Sequence, residues 1–242
     1  MEVANPDLKN CTKLAASHDL TCKTDQTPKT AAVSVKKVVV FFIGGAGDKE
    51  QYYVSQPPHG NVTTAQVQLP KKLSDVQMAK VDSVYLSYKD VRGKKDIDKY
   101  VVRHLAGDKS IHISIVGHSL GGWNGAHLST ILKEQGYTVK SLVTLDPVGG
   151  GLGVWLISDI YVTTPKPCTE FWINILAAPA KPNQSDDIAD DGERWKMSAG
   201  PDVNVSVNAN HESAGAMFRA KVLGEKSACD LIAERMINYL ES

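Results

Sequence analysis

The sequence predicts an α/β protein with a mostly parallel central sheet of about five to six strands and helices on both faces. Short continuous apolar runs recur along the chain, helical patterns separate them, and several runs end in glycine-rich or acidic turns. A continuous apolar run suits a strand buried on both faces, as strands of a parallel sheet are. Strands alternating with helices imply right-handed crossovers between parallel neighbours.

The first strand is Val38-Val39-Val40-Phe41-Phe42-Ile43, ended by glycine, and the second runs from Val84 to Tyr88. Ile97, Tyr100, Val101, His104 and Leu105 recur at helical spacing and form one apolar stripe. The third strand is Ile111 to Val116. A helix carrying Leu128, Ile131 and Leu132 follows and stops before Gly136, a suitable C′ residue. Ser141 to Leu145 and Phe171 to Leu176 are the fourth and fifth strands. Val203 to Val207 alternates strictly and suits a sixth strand nearer the sheet edge. Ala228, Leu231, Ile232, Met236 and Tyr239 form a closing helix with Ser227 as its N-cap. No internal repeat or second domain is evident. Residues 35–242 read as one domain, preceded by a polar N-terminal extension at 1–34.

Lysine plus arginine and aspartate plus glutamate each number 27 in the 242 residues, so the formal net charge is zero. This removes the electrostatic footprint of a nucleic-acid binder. No apolar run approaches the roughly 20 residues of a membrane span, and Met1 to Ala32 contains no signal-peptide h-region. A soluble protein is expected, cytoplasmic or exported by a signal-independent route. Cys11, Cys22, Cys168 and Cys229 form no CxxC or zinc pattern. Cys11 and Cys22 can pair in an oxidising compartment, and four thiols are the alternative.

Ligands of open parallel sheets bind beyond the carboxyl ends of the strands. At one such end, Gly117-His118-Ser119-Leu120-Gly121 matches G-x-S-x-G, a sharp strand-to-helix turn that exposes a serine. Side chains two residues before and after that serine would clash, which explains both glycines. Ser119 is the candidate nucleophile, and its base should be a histidine. His18, His59, His104 and His112 precede the elbow, His118 points elsewhere as a residue that packs or supports the site, and His127 is carried away on the following helix. His211, in a loop after the last strand, is the candidate base. Asp146 ends the fourth strand and is the favoured acid to orient it. Asp186, Asp187, Asp190 and Asp191 are rivals in what reads as a polar loop, which lacks the full calcium-loop spacing. Backbone N–H groups of Leu120 and of Ala46 or Gly45 are the candidate oxyanion hole. Gly44-Gly45-Ala46-Gly47 lacks the lysine of a phosphate loop.

Phe42-Ile43-Gly44-Gly45-Ala46-Gly47, Gly117-His118-Ser119-Leu120-Gly121-Gly122, Leu145-Asp146-Pro147 and Asn210-His211 together resemble α/β-hydrolase lipases and phospholipases. The elbow and the acid turn are most similar to the pancreatic-type lipase and phospholipase A1 group. The resemblance covers about residues 36–222. It implies the α/β-hydrolase fold and ester hydrolysis through an acyl-enzyme with no cofactor. Two features depart from that pattern: Ile43 stands where a histidine usually precedes the oxyanion glycine, and the family's N-terminal antiparallel strands are not evident. The small size also resembles bacterial lipase effectors delivered between cells, which implies a cognate immunity protein as partner. A lipid or other ester is the expected substrate. Val148 to Val162, with mobile glycines and Trp155, Leu156, Ile157 and Ile160, reads as an apolar flap for acyl chains or transient membrane-surface contact, or as a helix packed on the core. Tyr52, Tyr53 and Trp123 are candidate pocket residues, with packing as the alternative. Thioesterase or acyltransferase activity on the same triad, and a binding protein with a dead site, are the alternative functions.

Overall fold

The structure, a computed structural model, describes residues 36–51 and 58–242. The sequence expectations for residues 1–34, including Cys11, Cys22 and His18, and those for Tyr52 and Tyr53 lie outside the described residues.

The first strand, β1 (Val38–Gly44), leads to short helices α1 (Asn61–Gln66) and α2 (Asp75–Met78) and then to β2 (Val81–Ser87). A second helical stretch comprises α3 (Lys94–Ile97), a π-type turn over Asp98–Val102, and α4 (Arg103–Leu105). Strand β3 (His112–His118) runs into α5 (Leu120–Glu134), and β4 (Val139–Leu145) into α6 (Leu152–Ile157). Then come β5 (Trp172–Ala177), α7 (Gln184–Asp191), β6 (Val203–Val207) and α8 (Ala214–Arg219). A small antiparallel hairpin, β7 (Lys221–Leu223) with β8 (Lys226–Ser227), precedes the closing helix α9 (Ala228–Glu241).

Six strands form one parallel sheet among the described residues, in the order β2-β1-β3-β4-β5-β6. Every residue of β1 and β3 is buried, as the unbroken apolar run of β1 requires, and β3 buries His112, Ser114 and His118 along with its apolar residues. Alternate side chains of β1 serve opposite faces. Val39, Phe41 and Ile43 pack with Trp123, Leu128 and Leu132 of α5 and with Ile97, Val101 and Leu105. Val38, Val40 and Phe42 pack with Val62 of α1, Phe218 of α8 and Ile232 and Met236 of α9. Both helical layers are therefore anchored to the same central strand. The chain order reverses between β1 and β3, and a topological switch point of this kind opens a crevice at the strand ends.

Where sequence and structure differ, the reason is local. The acidic stretch around Asp186 is the helix α7 rather than a loop. It starts at an Asn183–Asp186 capping box, which places two carboxylates in a first helical turn. Helices α1, α2 and α8 and the β7–β8 hairpin are too short to carry a readable periodicity. Ser227 caps α9 as expected, in a reciprocal box with Asp230, and Gly136 follows α5 with a φ of 83°.

A polar ladder, buried at Trp172, Thr144 and Asn174 and exposed at Asn204, crosses the second half of the sheet. Trp172 Nε1 donates to Thr144 Oγ1 at 3.1 Å, and Thr144 donates to Asn174 Oδ1 at 2.7 Å. Asn174 Nδ2 donates to Asn204 Oδ1 at 2.9 Å, and Asn204 Nδ2 to the Met197 carbonyl at 2.7 Å. Each member satisfies the next, and a one-residue slip of β4, β5 or β6 would break the chain. Asn174→Ala removes the acceptor from a buried hydroxyl. It is expected to cost roughly 1–3 kcal/mol in urea unfolding, and a loss under about 0.5 kcal/mol would show that the ladder does not hold the register.

Candidate active site

Ser119 sits between β3 and α5 with φ 56° and ψ −127°, a conformation rarely tolerated outside glycine. Backbone bonds on both sides hold it there. Its N–H donates to the Leu145 carbonyl at 3.1 Å, and its own carbonyl accepts from Gly122 and Val148. The motif's glycines are explained by what a Cβ would strike. At Gly117 it would lie 2.3 Å from the Gly121 carbonyl oxygen, and at Gly121 2.2 Å from the Ile43 carbonyl oxygen. At Gly122 the obstacle is Pro147, 2.9 Å away, so the last glycine of the elbow and the proline after Asp146 are one packing contact.

Three side chains meet at this sheet edge. Nε2 of His211 lies 3.0 Å from Oγ of Ser119, and Nδ1 lies 2.7 Å from Oδ2 of Asp146. A carboxylate only accepts, so Nδ1 carries the hydrogen and Nε2 is left to accept the serine proton. Asp146 is fully buried, with φ 43°. Burial pushes its pKa up, but the hydrogen bond and charge of His211, and then those of Arg194, outweigh it and hold the carboxyl below its ordinary value. Two other histidines are engaged elsewhere: His127 with the Thr163 carbonyl at 2.7 Å, and His104 with Asp82 at 2.8 Å.

Arg194 carried no signal in the sequence, yet it ties the site together. Its Nε donates to Asp146 Oδ2 at 2.9 Å, its Nη2 to Asp186 Oδ1 at 3.1 Å, and its Nη1 pairs with Asp190. The side chain is only 6% exposed. An antiparallel bridge from Val148 to Arg194 fixes its backbone beside the acid turn. Asp186, weighed as a rival to orient the imidazole, does a different job: its Oδ1 accepts the main-chain N–H of His211 at 3.0 Å. Its Oδ2 accepts Asn183 N–H at 2.9 Å and Asn210 Nδ2 at 2.8 Å. Asp187 is exposed, and Asp191 borders a cleft described below.

The other half of the His211 peptide is held by His118, whose Nε2 donates to the His211 carbonyl at 2.7 Å. The two rings stack with centroids 4.8 Å apart. Burial, and then the adjacent His211, lower the His118 pKa to about 3, so the ring stays neutral beside its partner. His118 thus holds the backbone of His211, the supporting role that the sequence left open beside simple packing.

The Gly45–Gly47 turn lies against Ser119: a Cβ on Gly45 would stand 2.7 Å from Cβ of Ser119. Asp48 fastens the turn from below. Its carboxylate accepts Val62 N–H at 2.9 Å and the Tyr85 hydroxyl at 2.6 Å. Burial raises the Asp48 pKa against the opposing effect of those two bonds. Ala46 and Leu120 both border the space in front of Ser119, where oxyanion donors belong.

Two clefts open from Ser119. One, of about 300 Å³, is lined by Leu120, Val148, Val154, Ile157 and Ile188. The other, of about 490 Å³, is lined by His59, Asn61, Asn183, Gln184, Ser185 and Glu212. The Val148–Val162 stretch divides its roles. Ile160 is buried and Trp155 donates to the Gly149 carbonyl at 2.6 Å, while Leu156 and Ile157 on α6 are 78% and 73% exposed, Ile157 bordering the apolar cleft. Trp123 is buried core, packed on Trp195. Among the described residues, no group of three or more His, Cys, Asp or Glu is arranged to hold a metal ion, and no helix is long and apolar enough to cross a membrane.

The strand order, the serine turn after β3, the acid turn after β4 and the histidine loop after β6 define an α/β-hydrolase-fold protein. No protein-family model and no curated protein matches the chain. Among solved structures it is similar to an esterase domain from Rhodothermus marinus, with a TM-score of 0.47, 13% identity, and 85% of this chain and 89% of that one covered. It is also similar to a type II thioesterase of the yersiniabactin pathway, with a TM-score of 0.44, 10% identity, and coverage of 88% and 96%. A third likeness is to the Tle1 effector bound to the VgrG spike of a type 6 secretion system, with a TM-score of 0.40, 10% identity, and coverage of 81% and 54%. These likenesses carry nothing over to the chemistry of this chain.

Arg194→Met leaves Asp146 and Asp186 without their shared cation and is expected to cost about 3–5 kcal/mol at neutral pH. Both carboxyls have pKa values lowered from 3.8 in the fold. Their stabilisation is therefore complete above that value and is lost as pH falls toward the folded values. The variant, with less lowering, should lose less stability than wild type between neutral pH and pH of about 2. Urea midpoints measured across that range check both points, and parallel curves would contradict the assignment.

Proposed function

We propose that this protein is a serine carboxylester hydrolase that acts on lipid esters through an acyl-enzyme. The observation that carries the reading is the hydrogen-bond relay from Ser119 to His211 to Asp146, with both heavy-atom distances at or under 3.0 Å. Ser119 Oγ attacks the ester carbonyl carbon while its proton passes to His211 Nε2. The carbonyl oxygen, now negative, is held by backbone N–H groups of Leu120 and of Ala46 or Gly45. The C–O bond to the alcohol then breaks, and the alcohol leaves with the proton from His211. Water, deprotonated by the same nitrogen, attacks the acyl-serine, and Oγ recovers its proton as the acid departs. Asp146 keeps Nδ1 protonated throughout and stabilises the transient imidazolium. No step calls for a cofactor.

The apolar cleft beside the nucleophile, bordered by the exposed Ile157 with the exposed Leu156 next to it in sequence, supports a substrate with a hydrocarbon chain presented at a lipid surface.

Ser119→Ala should abolish covalent labelling by a fluorophosphonate and lower the rate on p-nitrophenyl butyrate by roughly 10⁴-fold or more. Labelling that persists and maps to another residue would end the proposal. Replacing Leu156 and Ile157 by serine should lower the rate on lipid vesicles several-fold relative to the rate on the soluble ester. An unchanged ratio would remove the lipid part of the reading and leave a general esterase.

A further inference from the structure

We infer that the polar cleft is the leaving-group site and that it selects esters of uncharged, hydroxylated alcohols over those whose alcohol carries a phosphate. The inference rests on the serine-hydrolase reading above and adds the substrate class.

Ser119, His211, Ala46 and Ile188 border both clefts, so the nucleophile stands on the divide between them. A bound ester must place its carbonyl at Ser119, with its two substituents running in different directions. The apolar cleft, walled by Val148, Val154 and Ile157, receives the acyl chain. The alcohol then has the second cleft, where His211 can protonate the departing oxygen.

The chemistry of that second cleft is specific. Asn61, Asn183, Gln184 and Ser185 bring neutral amide and hydroxyl groups, and His59 brings an imidazole. Glu212 supplies a carboxylate whose Oε1 accepts Asn183 Nδ2 at 3.0 Å. Ser185 Oγ in turn donates to Asn183 Oδ1 at 2.6 Å. This short chain holds the charge of Glu212 at the wall of the cleft. No lysine or arginine is among the described residues that line it. Phosphate recognition ordinarily draws on arginine forks, lysine or a helix N-terminus. Here the N-terminal turn of α7 is already occupied by its own capping box. A phosphodiester in this space would meet a carboxylate and, among the described residues, no lysine or arginine, whereas a polyol would meet acceptors and donors that suit its hydroxyls.

The test compares two soluble substrates with one acyl chain, monooctanoylglycerol and octanoyl lysophosphatidylglycerol, by titrating released acid, alongside fluorophosphonate labelling of the same preparation. The neutral ester should be favoured in kcat/KM by roughly tenfold or more, and Glu212→Gln should narrow that ratio several-fold. Because the ratio is taken within one protein, a partial loss of folded enzyme cancels from it. Equal rates, or a preference for the anionic substrate, in a preparation that labels normally would overturn the inference. So would a ratio untouched by Glu212→Gln. Failure to label at all would instead strike the serine-hydrolase reading beneath it.

Discussion

Asp146 lies at the end of β4 with no exposure to solvent, and an isolated carboxylate there would be among the costliest groups in the molecule to bury. Its Oδ1 accepts Ala177 N–H at 3.1 Å, and its Oδ2 accepts both Arg194 Nε and His211 Nδ1. These three donors keep it ionised and fixed. Through it the ends of β4 and β5, the segment after α7 and the histidine loop are joined at a single point. Arg194 extends that point to Asp186, which holds the His211 backbone. The loop carrying the imidazole is thus clamped through its ring, its N–H and its carbonyl, the last by His118. A loop so over-determined can hold a side chain to the sub-ångström tolerance that proton transfer needs.

The same sheet edge stores backbone strain. Ser119 and Asp146 both have positive φ, and neither is glycine. Such conformations cost on the order of 1–3 kcal/mol each, and here they follow two neighbouring strands, β3 and β4. The surrounding hydrogen bonds and the Gly122–Pro147 contact leave the chain no alternative path. The polar ladder from Trp172 to Asn204 works one layer further down, fixing the register of the strands whose ends carry Asp146 and lead toward His211. The bonded sheet edge contrasts with the exposed apolar residues Leu156 and Ile157 on α6.

Legibility in the sequence followed the strength of local signals. The strands were readable because burial on both faces leaves unbroken apolar runs such as Val38–Ile43, and the elbow because its G-x-S-x-G spacing is itself local, although only Gly117 answers to a near neighbour while Gly121 and Gly122 answer to Ile43 and Pro147. Helix α7 was not readable. Its acidic composition resembles a solvated loop, and only the Asn183 capping box and the burial of Asp186 reveal it as structure. Arg194 was invisible for a related reason. It sits in an ordinary polar stretch, 48 residues from one partner and eight from the other, and nothing in its neighbours distinguishes it from a surface arginine. The role of His118 lay beside the nucleophile yet depended on a carbonyl 93 residues away.

The sequence by itself determined the layered α/β architecture, the serine turn and the chain order in which an acid and a histidine follow it. Periodicity and close-range sterics act over a few residues and leave their mark in the residues themselves. Only the tertiary structure decided which carboxylate meets the imidazole, which holds its backbone instead, and which arginine binds both. It also decided that the space before Ser119 divides into one apolar and one polar cleft. Hydrogen bonds and cavities of that kind form between segments brought together by sheet closure, and their energies depend on distance in space, which the linear order of residues does not record.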